Sequence, residues 1–215
     1  ETWAADRILN TAPLSNLVTW IDPLGPASER ASAARLRHLG ILFAYVQVQR
    51  PSVTPDHWIY LPERHLAVNR ISEPKNFSDD MAPGDATALC CEITCRPGDG
   101  VWSLDRDAAA ALAARDLESI GLLQPGEAQP LAVRRVRHGY PVYEVGYRKH
   151  LQALRHALRR FENLSTTGRQ GLFRYNNMDH SILMGRKVAR ALLEPSAPIP
   201  ARTADAIATD TRWFG

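Results

Sequence analysis

The residues best suited to chemistry lie close together near the C-terminal end of the chain, between Gly168 and Ser181. Gly168 and Gly171 flank Arg169, and glycines let a backbone approach a ligand closely. Arg169 carries a planar, permanently charged guanidinium, which suits a pyrophosphate. A helix is expected from about Asp179, and its first backbone N–H groups favour a phosphate or an electron-rich carbonyl. The pattern therefore indicates an anionic cofactor, and an ordinary loop with a helix cap is the alternative.

Elements of two different periodicities position this segment. The first half of the chain carries apolar and alternating runs, and these predict strands over 5–11, 40–49, 57–61, 67–71 and 86–95. Residues 23–32 are rich in Pro, Gly and Ser and are expected to form a loop. Later runs with helical spacing, interrupted by strands, predict an α+β fold with segregated helices.

The second half of the chain has clear helix signals. Ser103 is a plausible N-cap for a helix over 104–120, and Gly121 stands where a helix-ending glycine belongs. Further on, one apolar stripe at helical spacing predicts a packing helix that contains Tyr147, Leu151, Leu154, Leu158 and Phe161. The remaining expectations are strands at 131–136 and 164–167, a loop over 168–177 and a helix over 179–193.

Composition excludes several classes of function. The 215 residues carry a formal charge of +3 and 45% hydrophobic residues, as in an ordinary soluble globular protein. Basic residues are scattered rather than clustered with aromatics, which argues against nucleic-acid binding. No run approaches the length of a membrane span and no signal peptide is visible, so a cytoplasmic location is expected.

Three cysteines occur in a single predicted strand, at positions 90, 91 and 95. Their odd, clustered count argues against a disulfide framework. Neighbours on a strand point to opposite faces, so Cys90 and Cys91 are poorly placed to share a metal. Buried reduced thiols and no metal site are therefore expected.

Several stretches together resemble one group of flavoproteins. The run from Gly168 to Ser181 is similar to the C-terminal flavin-contacting signature of FAD-dependent amine-oxidase-like proteins and of UDP-galactopyranose mutases. Residues 5–14 resemble the strand that joins the two domains of those proteins, and 69–77 resemble the mutase Thr-Arg-Ile-x-Glu-His-Lys-x-Phe run. The turn at 140–142 resembles their substrate-cleft Tyr-Pro. Four matches in the same order cover roughly residues 5–193.

The resemblance implies a set of cofactor-binding residues for FAD. Arg169 would contact the pyrophosphate, and the backbone at Met178 and Asp179 would approach the pyrimidine edge of the flavin. The full set of implied cofactor-binding residues is Gly168, Arg169, Gly171, Met178, Asp179 and Ser181.

The same resemblance implies three substrate-binding residues. Arg70 would lie near the flavin, with a surface ion pair to Glu73 as the alternative. Tyr140 and Tyr175 match mutase positions that meet substrate phosphates, with core packing as the alternative. No residue is identified as catalytic.

The sequence also departs from the mutase pattern. Pro74 replaces a histidine, and Asn176-Asn177 replaces a second aromatic residue. The sequence therefore favours hydride transfer to FAD on an unidentified substrate. A flavin-dependent sugar-nucleotide mutase and a non-catalytic ligand-binding module remain as alternatives.

No Gly-x-Gly-x-x-Gly fingerprint follows a strand in this chain. The resemblance therefore implies the C-terminal half of a flavoprotein, whose N-terminal FAD-binding segment would be a partner in the complete enzyme. The isolated chain is expected to be inactive, to bind FAD poorly and to expose apolar surface that permits homo-oligomers. The implied divisions are a connection at 1–20, a substrate-binding-like domain with a largely antiparallel sheet at 21–145, a helix and the C-terminal strand-loop-helix element of an FAD domain at 146–193, and a tail at 194–215.

Overall fold

The computed structural model describes residues 1–21 and 26–193. The chain divides into two compact units. Unit 1 combines residues 1–37 with the chain from Tyr140 onward, and unit 2 is the continuous segment His38–Gly139. This division does not test the predicted domain functions, which stay predictions, and the predicted tail at 194–215 lies outside the described residues.

Seven strands and six helices are found in the described residues. In chain order they are β1 (Ile8–Asn10), α1 (Leu14–Ile21), α2 (Ala27–Arg35), β2 (His38–Val48), β3 (Trp58–Tyr60), β4 (Arg70–Ser72), β5 (Thr87–Cys95), α3 (Arg106–Ser119), β6 (Ala128–Pro141), α4 (Tyr147–Leu158), β7 (Leu164–Thr166), α5 (Gly168–Gly171) and α6 (Met178–Leu193). Two 3₁₀ turns, Pro74–Asn76 and Asp79–Met81, lie between β4 and β5. The predicted α+β class is confirmed, and within these residues no helix is long and apolar enough to cross a membrane.

Unit 2 is built on a five-stranded sheet in the order β3-β4-β5-β2-β6. β2 and β5 pair antiparallel over nine residues, from Gly40↔Cys95 to Val48↔Thr87. Their alternate side chains form one buried apolar face against α3, where Leu42, Cys91 and Ala113 are almost completely buried. Each fully buried aliphatic side chain of this kind stabilises the fold by about 1.5–3 kcal/mol.

The three cysteines are free and buried, as predicted. Cys91 faces the apolar core, and burial raises the pKa of its thiol far above the usual value. Cys90, the next residue on the strand, lies at the register position opposite Tyr45. These thiols are structural in character.

The start of α3 corrects a predicted cap. Asp105, not Ser103, is the N-cap residue, because its carboxylate accepts a hydrogen bond from the N–H of Ala108 at 2.8 Å. The Ser103 hydroxyl instead donates to the carbonyl of Asp99. Gly121 follows the helix with φ 73°, as a C-terminal glycine should.

Unit 1 contains a second apolar cluster formed by α1, α2 and α4. The predicted stripe on α4 contributes Leu154 and Leu158, and α1 contributes Leu14. The predicted loop at 23–32 is wrong from Ala27 onward, where α2 begins directly after Pro26. Residues 27–35 lack an apolar stripe, and the helix is stabilised by packing of its small residues against α4 rather than by a sequence signal.

The last part of unit 1 is a short parallel strand pair followed by a long helix. β1 pairs with β7 in the register Ile8↔Leu164 and Asn10↔Thr166. The Asn10 side chain donates to the Thr166 hydroxyl at 3.0 Å and to the carbonyl of Ala12. This pair leads the chain directly into the glycine-flanked segment.

Candidate functional site

The candidate site is formed by the chain that connects β7 to α6. After β7 the backbone turns at Gly168, whose φ of 78° lies in the left-handed region. The four-residue helix α5 follows within the stretch that was expected to be a loop. Phe173 then adopts φ 50°, and it is the only residue other than glycine with positive φ in the described chain. Such a conformation costs of order 1–3 kcal/mol and persists only where surrounding packing enforces it.

Arg169 lies against two neighbouring aromatic rings. Its guanidinium carbon lies 5.0 Å from the centroid of the Tyr140 ring and 4.6 Å from that of Tyr175. The two ring centroids are 5.8 Å apart. Its Nη1 donates to the carbonyl of Asn176 at 3.0 Å. Cation–π contacts of this kind contribute about 0.5–2 kcal/mol each, so the guanidinium is held in one orientation.

Asn176 joins Arg169 to the start of α6. Its side-chain amide donates to the Ser181 hydroxyl at 3.0 Å. Its Oδ1 atom is buried and has no hydrogen-bond partner in the described chain, and the same holds for the hydroxyl of Thr167. A buried polar atom without a partner costs about 1–3 kcal/mol, so both atoms are suited to bind a polar ligand or water.

Glycine is favoured at the two positions of the segment for different structural reasons. A Cβ at Gly168 would meet no atom within 4 Å, so the space beside its backbone is open, and its positive φ favours glycine. A Cβ at Gly171 would lie 2.7 Å from the Thr166 hydroxyl and 3.1 Å from the carbonyl of Asn10. Gly171 is therefore required by close packing against β7 and β1, and this does not test its predicted cofactor contact.

The N-terminus of α6 is exposed. Met178 and Asp179, the first two residues of the helix, both have exposed side chains. Asn177 precedes them, and its carbonyl accepts the N–H of Ser181. Because Arg169 bonds to Asn176, the predicted arginine and the predicted helix start form one continuous group of residues.

Tyr143 is a member of this cluster that sequence reasoning missed. Its hydroxyl accepts the backbone N–H of Tyr175 at 2.7 Å, and its ring lies against Tyr147 and Phe173. Burial raises its pKa, which keeps the hydroxyl neutral. Its spacing of three residues after Tyr140 was the only available signal, and that spacing alone does not identify a contact with Tyr175.

Arg70 belongs to unit 2 and is fixed by neighbours within its sheet. Its Nε donates to the carboxylate of Glu92 at 2.8 Å, and its Nη2 forms a second, shorter contact to the same carboxylate. Its guanidinium carbon also lies 5.6 Å from the centroid of the Tyr60 ring. The alternative ion pair with Glu73 is wrong, because the carboxylate of Glu73 is buried and accepts the N–H groups of Val53 and Thr54.

Metal chemistry has no support among residues 1–21 and 26–193. No group of three or more His, Cys, Asp or Glu side chains there is arranged to hold a metal ion. The polar groups of the candidate site are a guanidinium, tyrosine hydroxyls, an amide and backbone N–H groups. The guanidinium and the N–H groups are hydrogen-bond donors, so this set suits anions and polar heterocycles.

Comparison with solved structures identifies proteins of the same fold. The chain is similar to a reduced UDP-galactopyranose mutase, with a TM-score of 0.73 and 19% identity, over 96% of this chain and 46% of that one. A candidate protoporphyrinogen oxidase from Exiguobacterium gives a TM-score of 0.56 and 19% identity, over 77% and 36%. A putrescine oxidase bound to putrescine gives a TM-score of 0.52 and 14% identity, over 87% of this chain and 42% of that one. No protein-family model and no curated protein matches the sequence.

These comparisons confirm the resemblance predicted from the sequence at the level of the fold. A UDP-galactopyranose mutase and two oxidases are the kinds of protein that the sequence motifs indicated. The chain spans less than half the length of each of the three.

Proposed function

We propose that this chain, which shares its fold with part of a mutase and of two oxidases, is the C-terminal portion of a flavin-dependent oxidoreductase. The complete enzyme would transfer a hydride from a small-molecule substrate to FAD. The observation that carries the proposal is the position of Arg169, which contacts the neighbouring rings of Tyr140 and Tyr175 and donates a hydrogen bond to Asn176 directly before α6.

The residues of the candidate site fit FAD in charge and in polar groups. The Arg169 guanidinium suits the pyrophosphate, and the open space beside Gly168 allows a close approach of the backbone. The unpartnered Oδ1 of Asn176 and hydroxyl of Thr167 can bind polar atoms of a bound cofactor. When bound, FAD supplies the hydride acceptor, and protein groups supply orientation and charge balance.

Each proposed cofactor residue has a defined task. Arg169 would hold the phosphate charge, and the first N–H groups of α6, at Met178 and Asp179, would stabilise negative charge on the reduced cofactor. Ser181 would act by fixing the side chain of Asn176. Gly171 would allow the Arg169-bearing turn to pack against β7.

The proposed substrate residues are Arg70, Tyr140 and Tyr175. Tyr175 is half exposed, so its hydroxyl is available to a ligand. Tyrosine hydroxyls donate hydrogen bonds, so Tyr140 and Tyr175 of unit 1 suit a substrate with anionic or carbonyl oxygens. Arg70 of unit 2 carries a positive charge suited to the same kind of substrate. They would orient the substrate, while the redox chemistry belongs to the cofactor.

The strand pair of unit 1 supports a further FAD-binding segment as the partner of this chain. Ile8 and Leu9 are neighbours on β1, so they face opposite sides, and both are nearly half exposed. Parallel strands are normally covered on both faces, and a two-stranded sheet is marginal alone. The crossover helices of a parallel sheet that extends this pair would cover both side chains.

The reading frame upstream of Glu1 gives the first test. An in-frame dinucleotide-binding segment there supports the enzyme proposals, whereas a start codon and promoter would favour a non-catalytic ligand-binding module. If the segment is present, the extended protein should purify with bound flavin, and the 215-residue chain alone should not.

The role of Arg169 can then be measured in the extended protein. Arg169→Gln should lower the flavin content of the folded protein by about tenfold or more, because it removes one charge-assisted contact worth roughly 1.5–3 kcal/mol. Arg148→Gln, on an exposed position of α4, is the matched control and should retain the wild-type flavin content. Equal flavin occupancy in both variants would contradict the proposed cofactor site.

A flavin-dependent sugar-nucleotide mutase is the second candidate. The grouping of Tyr140, Tyr175 and Arg169 favours it, because all three side chains can bind phosphate oxygens. Binding of UDP-sugars to the extended protein only after flavin reduction would support the mutase. Substrate-dependent flavin reduction without a nucleotide sugar would support the oxidoreductase.

A further inference from the structure

A group of exposed aromatic side chains lies at the edge strand of unit 2. Trp58 and Tyr60 of β3 and the nearby Phe77 are each more than half exposed. The rings of His57 and Phe77 are 4.7 Å apart, and those of Trp58 and Phe77 are 6.0 Å apart and nearly parallel. We call these four residues the aromatic edge. Contiguous exposed apolar groups on a soluble protein are typical of interaction sites.

Buried hydrogen bonds hold the aromatic edge in place. The carboxylate of Glu73 is fully buried and accepts the N–H groups of Val53 and Thr54 and the hydroxyl of Thr87. The Asn76 side chain donates to the carbonyls of Thr54 and Asp56, at 2.7 and 2.8 Å. These bonds tie the chain before His57 to the chain before Phe77. The rings are therefore preorganised, which lowers the entropy lost when a partner binds.

The backbone of β3 offers hydrogen-bonding groups on its outer side. β3 pairs with β4 alone and is the last strand of the described sheet. The carbonyl of His57 and the N–H of Leu61 bond to the β4 side. Because successive residues of an antiparallel strand direct these groups to alternate sides, those of Trp58 and Tyr60 point away from β4. An added strand can pair with them.

Charge specifies the partner. Residues 51–60 and 76–85 contain four aspartates, at 56, 79, 80 and 85, and no lysine or arginine. All four aspartates are exposed. The adjacent Lys75 directs its ammonium to the carbonyls of Pro83, Gly84 and Ala86. Arg70, whose guanidinium carbon lies 5.6 Å from the centroid of the Tyr60 ring, is paired with the carboxylate of Glu92. The exposed aspartates therefore leave the rim of the aromatic edge negative, which favours a positively charged partner.

We infer that the aromatic edge is a docking surface for an extended, lysine- or arginine-bearing segment of a partner protein. The segment adds a strand to β3, its main chain bonds to the outward groups of Trp58 and Tyr60, and its side chains pack on the rings. Its basic residues meet the exposed aspartates. Trp and Tyr are enriched among the residues that dominate binding energy at protein interfaces, and Phe is enriched in interface cores.

Synthetic peptides provide a direct test with the 215-residue chain. A ten-residue peptide of alternating lysine and valine is the probe, with binding followed by fluorescence anisotropy at low salt. The peptide should bind. A glutamate–valine peptide and a lysine–valine peptide with alternate backbone N–H groups methylated should each bind at least about tenfold more weakly.

Variants assign the binding to the proposed residues. The double variant Trp58→Thr, Phe77→Ser should bind the lysine–valine peptide about 30-fold more weakly, which is the loss of affinity expected for interface hot spots. Asp79→Asn combined with Asp80→Asn should weaken it several-fold and reduce its salt dependence. Trp20→Ala removes a similarly exposed tryptophan from α1 and is the matched control, with no change expected. Circular dichroism and thermal melting establish that each variant is folded.

Several outcomes would overturn the inference. Absence of binding at millimolar peptide, or equal binding of the lysine and glutamate peptides, would contradict the inferred docking surface. Full affinity in the folded Trp58→Thr, Phe77→Ser variant would place the peptide elsewhere. Displacement of the peptide by an equal concentration of ethylammonium would indicate a small-cation site. Loss of self-association in the same variant, by sedimentation, would indicate a second copy of the chain.

Discussion

Replacement of Gly171 by alanine should destabilise unit 1, because the new methyl group has no space. It would lie 2.7 Å from the Thr166 hydroxyl and 3.1 Å from the carbonyl of Asn10. The hydroxyl cannot easily move, since it accepts from the Asn10 side chain at 3.0 Å and donates to the carbonyl of Gly171 at 2.8 Å. Overpacking of this kind costs about 1–3 kcal/mol.

Gly185→Ala is the matched control on the same unit. Gly185 lies inside α6, and a Cβ there would meet no atom within 4 Å. Alanine is preferred over glycine in a helix interior by up to about 1 kcal/mol, so this variant should be more stable than the wild type. The two glycine replacements should therefore change the free energy of unfolding in opposite directions.

A double-mutant cycle tests the physical cause. Thr166→Ala alone should cost roughly 1–2 kcal/mol, because it removes two hydrogen bonds. It also removes the nearest atom in the way of the new methyl group. The double variant Gly171→Ala, Thr166→Ala should therefore be less destabilised than the sum of the single variants, by about 1 kcal/mol.

Urea denaturation gives the free energy of unfolding, and hydrogen exchange at Thr167 gives the local value. The N–H of Thr167 donates to the carbonyl of Asn10 at 2.9 Å, so its exchange reports opening at the strand pair. A neutral or stabilising Gly171→Ala would refute the packing argument. Strict additivity in the cycle would also refute it, since the clash would then not involve Thr166.

Three further predictions concern unit 2. Asp105→Ala should lower the free energy of unfolding by about 1 kcal/mol in urea, whereas Ser103→Ala should change it little, and the reverse order would restore Ser103 as the cap of α3. The N–H groups of Trp102 and Arg96 lower the pKa of Asp99 from its ordinary value of 3.8. The stability from this carboxylate is therefore present above that value and lost as the pH falls below it, so Asp99→Asn should flatten the acid side of a pH–stability curve. The three buried thiols should react with a thiol reagent at neutral pH only after unfolding, and fast labelling of the native chain would contradict their burial.

The strands of unit 2 could be predicted because their signal is local. β5 lies inside the predicted 86–95, since its residues are buried on both faces and almost continuously apolar. α2 could not be predicted, because Pro26 and Ser28 resemble a loop and the helix depends on packing against α4. Local sequence patterns predict strands and helices that have an apolar stripe, whereas helices without such a stripe depend on tertiary contacts.

The same distinction applies to the candidate site, where contacts between residues near in sequence could be predicted and contacts between distant residues could not. Arg169 lies near the start of α6 because it bonds to Asn176, only seven residues further along the chain. A contact over so short a separation can be predicted from the sequence. The contact of Tyr143 with Tyr175 spans 32 residues and depends on how the chain returns. Arg70 pairs with Glu92 rather than with the neighbouring Glu73, because strand register sets the partner and the buried carboxylate is already used.

Unit 1 is made of two parts of the chain with unit 2 between them, and this affects the cost of pairing β1 with β7. β1 is synthesised before unit 2, and its partner β7 follows 156 residues after it. Unit 2, between them, is continuous, and its first and last strands are neighbours in one sheet. Once unit 2 has folded, the free loop that separates β1 from β7 shrinks to about 50 residues, which lowers the entropic cost of pairing by about 1 kcal/mol. Folding of unit 2 before unit 1 would therefore make the pairing of β1 with β7 easier.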